Sequence, residues 1–187
     1  QPGGDQLARQ YPNLEIADVA GFDLFCCDSQ GPAYTGVNGE FISAGRLDNL
    51  LSCHVATMAL AAADPGHNSL LFCANHEENG SVSSSGARGA FLDAILDRLL
   101  PEPQSRRIAL ARSFLLSIDN AHAVHPNFKD LSEPQHDVVL NGGPVIKINA
   151  NQRYATNCVS ASILKRFAAE AEVPLQEFVM RSDLPCG

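Results

Sequence analysis

Three short apolar runs constrain the fold more than any other feature: "SLLFCAN" at 69–75, "SFLLSID" at 113–119 and "PVIKINA" at 144–150. Each is bounded by turn residues and too short for a typical helix, so each reads as a strand buried on both faces. A fourth such run, "LQEFVMR", follows at 175–181. Between them lie segments with helical spacing and strong helix formers: "LDNLLSCHVATMALAAA", "GARGAFLDAILDRLL" ahead of Pro101, "RRIALAR" and "SASILKRFAAEAE". Strands alternating with helices predict an α/β fold with a mostly parallel sheet covered by helices.

The first quarter of the chain differs. Residues 1–12 are rich in Gly, Pro and Gln and read as loose. "EIADVAGFDLFCCDS" and "AYTGVNGEFIS" read as strands, with Asn38-Gly39 as a hairpin-type turn. The composition shifts near residues 40–45, which sets the expected domain boundary.

The chain has 187 residues, 45% of them hydrophobic and 18% charged, which suits a globular domain with a sizeable core. A formal charge of −8 argues against nucleic-acid or anionic-membrane partners, since either needs a basic face. No apolar run approaches the roughly 20 residues of a membrane span. The six cysteines contain no C-x-x-C pair, and most sit in apolar runs. They read as reduced, buried thiols of a cytoplasmic protein rather than zinc ligands. The chain begins at Gln1 without Met and stops at "SDLPCG", which reads as a fragment.

In open α/β sheets, ligands bind beyond the carboxyl ends of the strands. Asp48 follows "EFISAG", Glu77 and Glu78 follow "SLLFCAN", and Asp119, His122 and His125 follow "SFLLSI". Arg153 and Tyr154 follow "PVIKINA". One acid at such a junction could be a helix N-cap. Four acids at three strand ends repel one another unless cations neutralise them. Divalent metals such as zinc, manganese or cobalt suit carboxylate and histidine donors. Two of them can share a bridging carboxylate and activate water. "HEENG" lacks the second histidine of the H-E-x-x-H protease signature. Adjacent glutamates on an extended chain face opposite ways, so one would take metal and the other face substrate.

The motifs "SAGRLDNLLSCH", "NHEENGS", "DNAHAVHPNF" and "NGGPVIKINANQRYATN" resemble, in order, those of the aspartyl aminopeptidase family of co-catalytic dimetal exopeptidases. The resemblance runs from about residue 20 to the end. It implies that Asp48 bridges two metals, most readily zinc, that Glu78 ligates one and that Asp119 ligates the other. It implies Glu77 as the general base toward the metal-bound water, and His122, Lys147 and Tyr154 as residues lining the substrate pocket. The implied fold is a three-layer α/β/α sandwich, with residues 43–187 as the central part of the catalytic domain. Residues 1–42 resemble the tail of the oligomerisation domain that the family inserts there. The implied activity is removal of N-terminal, preferably acidic, residues from peptides by a homo-oligomer, often a dodecamer.

Two departures matter. The family's two metal-binding histidines, one ahead of the insert and one near the C-terminus, have no counterpart here, nor does a pocket histidine from a neighbouring subunit. The 187-residue chain is therefore expected to bind zinc poorly and to lack activity by itself. One alternative is a related aminopeptidase preferring neutral residues. Another is a non-catalytic scaffold subunit, although a scaffold has no need of four clustered acids.

The remaining polar residues have plainer readings. His76 and His125 read as structural, and His54 as a helix residue without a role in the site. Lys147 alternates with Ile146 and Ile148 and so leaves the apolar face. Arg153 reads equally as a second pocket cation or an exposed loop residue. Asn141-Gly142-Gly143 reads as a tight turn before a strand.

Overall fold

The computed structural model describes residues 9–13 and 15–183. Cys186 and the first eight residues of the Gly/Pro/Gln-rich start lie outside the described residues. The chain divides into two compact units, Gln1–Arg46 and Leu47–Gly187.

In the first unit, strands β1 (Ala33–Thr35) and β2 (Phe41–Ser43) pair antiparallel, with Tyr34 opposite Ile42. Gly36 and Gly39 both have positive φ in the connecting loop, and the Gly39 N–H donates to the Gly36 carbonyl at 3.3 Å. The expected hairpin is present. The strand expected at 15–29 is not: a 3₁₀ turn occupies Ile16–Asp18, and residues 19–29 join no ladder. Phe22, Leu24 and Phe25 are exposed.

Among the described residues, the second unit is built of helices and one small parallel sheet. Helix α1 spans Leu47–Ala62, but Asp48 and Asn49 have non-helical backbone, so the regular helix starts after them. Helix α2 spans Phe91–Leu99 and starts later than its sequence pattern, because Gly86 and Gly89 belong to a folded loop. Helix α3 spans Pro103–Ala111. Glu102 caps it by accepting from the N–H groups of Gln104 and Ser105, and Pro103 fits the first turn, where no N–H partner is needed. Helix α4 spans Cys158–Glu170 and opens with a capping box in which Asn157 and Ser160 bond each other's backbone N–H.

Strands β3 (Val145–Asn149) and β4 (Gln176–Met180) pair parallel, Val145 with Gln176 through Asn149 with Met180, and α4 is the crossover between them. The Asn141-Gly142-Gly143 turn precedes β3 as expected. A Cβ on Gly143 would lie 2.1 Å from the Pro174 carbonyl oxygen, so the approach of the two strands requires glycine there. Ile146, Val138 and Ala168 are the buried apolar residues among those described.

The strands expected at 69–75 and 113–119 form no ladder among the described residues. A strand needs a neighbour about 4.8 Å away to satisfy its backbone groups, and β3–β4 is the one parallel pair present among the described residues. Leu70, Phe114, Leu116 and Ile118 are correspondingly about half exposed, and Leu115 is 83% exposed. The expectation of buried thiols fails as well. Cys26, Cys27, Cys73 and Cys158 are exposed and Cys53 is half-buried; for Cys73 the reason is that the apolar run carrying it is itself uncovered. All five are free thiols. No helix among the described residues is long and apolar enough to cross a membrane.

Candidate active site

Asp48 sits where the chain enters α1, ahead of the regular helix. Three hydrogen bonds clamp this entry to the segment that follows Ile118. Asn49 Nδ2 donates to the Ile118 carbonyl at 3.2 Å. Ser52 Oγ, on a buried residue, donates to Asn120 Oδ1 at 2.9 Å. Asn120 Nδ2 donates to the Leu47 carbonyl at 3.0 Å. Residues about 70 positions apart in sequence are thereby fixed together, and Asp48 and Asp119 come with them.

Glu77 and Glu78 lie on a 3₁₀ turn, Glu77–Asn79, not on extended chain. His76 enters it with φ 56° and Gly80 leaves it with φ 91°. The Gly80 N–H donates to the Glu77 carbonyl at 2.9 Å, and the Ser81 N–H donates to that of His76 at 2.9 Å. The expected opposite orientation of the two glutamates therefore does not hold. On a turn, adjacent side chains differ by about 120° rather than 180°, and both line one cavity. His76 Nδ1 pairs with Ser83 Oγ at 2.7 Å, a contact internal to the loop.

Lys147, in the middle of β3, has a side chain only 16% exposed. Its Nζ donates to Asp119 Oδ2 at 2.6 Å and to the Asn120 carbonyl at 3.0 Å, and it lies 5.7 Å from the centre of the Tyr154 ring. On β4, Phe178 stands beside Lys147 in the ladder and meets the His122 ring edge-to-face at 5.7 Å.

These residues enclose a cavity of about 220 Å³ lined by Asp48, Glu77, Glu78, Asp119, Asn120, Ala121, His122, Lys147, Tyr154, Phe178 and Met180. All seven residues singled out in the sequence are among them. His54 and Arg153 are exposed and do not line the cavity. His125 is a loop residue, its Nδ1 accepting from the Asn127 N–H at 3.1 Å and its ring against Phe128. Sequence reasoning missed Asn120, Phe178 and Met180. The period-2 alternation of "EFVM" was the available signal for the last two. A larger, shallower hollow of about 430 Å³ along α4 and β4 is lined by mostly aliphatic residues and an already paired Lys165 and Glu177. It gathers no reactive groups.

The cavity concentrates negative charge. Glu77 is an exposed residue, yet partial desolvation of its carboxyl in the cavity, then the charges of Asp119, Glu78 and Asp48, hold it above the ordinary glutamate range. Asp48, also exposed, is raised likewise by partial desolvation, then by the charge of Asp119 and a hydrogen bond with it, then by Glu78. Lys147 opposes both shifts without cancelling them. Four carboxylates facing one ammonium form a donor set that suits divalent cations in charge and atom type. Among the described residues, no three His, Cys, Asp or Glu side chains converge tightly enough to hold an ion by themselves. The carboxylates thus fit a metal as part of a ligand shell, short of the usual four ligands of zinc.

The sequence pattern of the family described as aminopeptidase I zinc metalloprotease (M18) matches residues 5–187. The chain belongs to the M18 family of zinc metalloproteases. The "Probable M18 family aminopeptidase 2" of Pseudomonas aeruginosa (strain LESB58) is 49% identical over 183 residues, which are 98% of this chain and 42% of that protein. The protein of the same description from Stutzerimonas stutzeri (strain A1501) is 50% identical over the same share of each chain. The M18 chain described here thus spans about two fifths of the length of these relatives. The cryo-EM structure of the Ape4 and Nbr1 complex matches with a TM-score of 0.76 at 40% identity, over 86% of this chain and 32% of that one. The S. cerevisiae mApe1 dodecamer matches at 0.69 and 27% identity, over 82% and 37%.

Proposed function

We propose that this M18 chain carries the acidic half of a dimetal aminopeptidase site that removes N-terminal residues, preferably Asp or Glu, from peptides. One observation carries the reading. Seven residues from four separated sequence motifs meet in a single cavity that combines four carboxylates with one lysine. Asp48 would bridge two divalent ions, most readily zinc with manganese or cobalt as alternatives, while Glu78 and Asp119 would each hold one. When bound, such ions supply Lewis-acid polarisation of the scissile carbonyl and an activated water.

The chain's own groups do the rest. Glu77, held above the usual carboxylate range by partial desolvation and its acidic neighbours, accepts a proton at its carboxylate and returns it to the leaving amine. Lys147 supplies the positive charge that pairs the acidic side chain of the substrate, with His122 and Tyr154 flanking it. Phe178 fixes the His122 ring from one side.

The same reading makes residues 43–187 the central part of a three-layer α/β/α catalytic domain in the cytoplasm, and residues 1–42 the tail of the inserted oligomerisation domain. It gives the whole protein a homo-oligomeric assembly, for which the dodecamer of the mApe1 neighbour is the precedent. Because the chain spans only part of its relatives' length, activity is assigned to the full-length gene product. Side-by-side assay of Asp-, Glu- and Leu-anilides with that protein tests the reading. Faster turnover of the acidic pair is expected. Preference for Leu selects the neutral-residue alternative, and no turnover of any with zinc supplied selects the scaffold.

A further inference from the structure

The cavity's single lysine is already engaged. Lys147 Nζ lies 2.6 Å from Asp119 Oδ2, closer than to any other charged partner, and the Asn120 carbonyl takes a second of its protons at 3.0 Å. Its side chain is only 16% exposed, and the ammonium reaches bulk solvent only by leaving both partners. On the reading above, Asp119 is a metal ligand and Lys147 is the cation that greets the substrate. One carboxylate is therefore claimed by two cations. An ammonium and a divalent ion sharing a carboxylate repel each other, and each weakens the other's hold.

We infer that Lys147 is an internal counter-cation of the acidic cluster that competes with metal for Asp119, so that metal loading is what frees this lysine for the substrate. The inference rests on the metal reading and adds a coupling to it. Without metal, the Lys147–Asp119 pair offsets repulsion among Asp48, Glu77, Glu78 and Asp119. With metal in place, the carboxylate turns to the stronger cation, and the ammonium is released toward the cavity that Tyr154 and His122 border. An acidic substrate would then find its cation only at a metal-loaded site. The lowering influence of Lys147 on both Asp48 and Glu77 agrees with a charge that acts on the whole cluster.

The test is zinc affinity, measured in the full-length protein by competition with a chromophoric chelator, for the wild type, Lys147→Met and Lys147→Gln. A neighbouring charge shifts the proton affinity of a carboxylate by about 1–3 pK units. Removing the ammonium should therefore tighten zinc at one site by at least about tenfold. Lys147→Gln keeps a donor for the Asn120 carbonyl and serves if Lys147→Met does not fold. Thermal unfolding gives the second readout: both variants should melt below the wild type in EDTA and lose that deficit in zinc. Zinc affinity that is unchanged or weaker in both variants, with the wild type binding zinc, overturns the coupling and leaves the metal reading intact. A wild type that binds no zinc overturns both.

Discussion

Asn120 is the residue on which the geometry of the acidic cluster depends most, although it carries no charge. Its side chain uses both ends: Oδ1 accepts from buried Ser52, and Nδ2 donates to the Leu47 carbonyl next to Asp48. Asn120→Ala removes two hydrogen bonds, each worth about 1 kcal/mol net. It also strands the Ser52 hydroxyl, which is only 6% exposed, at a further penalty of about 1–2 kcal/mol. The sum is about 3–4 kcal/mol. For a chain of this size, that corresponds to a melting temperature lower by roughly 6–15 °C. Ser52→Ala removes one of the bonds and its own stranded hydroxyl together, so it should cost only about 1 kcal/mol. A double-mutant cycle should then show coupling of about 1 kcal/mol or more between the two positions. Chemical denaturation of the four proteins measures this. An Asn120→Ala protein within about 0.5 kcal/mol of the wild type, or purely additive effects, would refute the clamp.

Two further predictions follow from local structure and charge. Asn157→Ala should lower stability by about 1 kcal/mol, because it deletes the capping box that opens α4, and Asn157→Ser should recover most of that loss; urea midpoints decide it. Asp48 and Glu77 are raised above their ordinary values, so the metal-free protein gains most from them when they are protonated and loses that contribution as pH rises from about 4 through their folded-state values. In EDTA, Asp48→Asn should accordingly gain stability relative to the wild type as pH increases, and a difference that shrinks or stays flat contradicts the raised Asp48 carboxyl and, with it, both the desolvation and the repulsion that lift it.

The sequence made the local elements legible wherever a local rule governs them. Helix formers placed α1, the "NGG" turn and alternation placed β3, and Gly-flanked "VNGE" placed the hairpin. The acidic cluster was legible from its four motifs, but not for the reason of strand ends: the runs ahead of Glu77 and Asp119 join no ladder among the described residues, and those acids stand on a turn and an irregular segment instead. What the sequence did not reveal depends on neighbours. The runs at 69–75 and 113–119 have strand composition, yet a ladder requires a second strand, and their side chains are uncovered. Cys73, in the first of these runs, inherited the error. The glutamate pair was misjudged through its backbone, because His76 and Gly80 in left-handed conformations turn the chain at once. Asn120 could not be ranked above any other asparagine, since its partners lie some 70 residues away.

The central claim is that Glu77 carries the proton while its neighbours hold metal. Glu77→Gln in the full-length protein tests it directly, with turnover of an Asp-anilide and bound zinc measured on the same preparation. The account predicts zinc content equal to the wild type and turnover lower by at least about 10²-fold, the scale of acid–base catalysis. Near-normal turnover with zinc retained would contradict it.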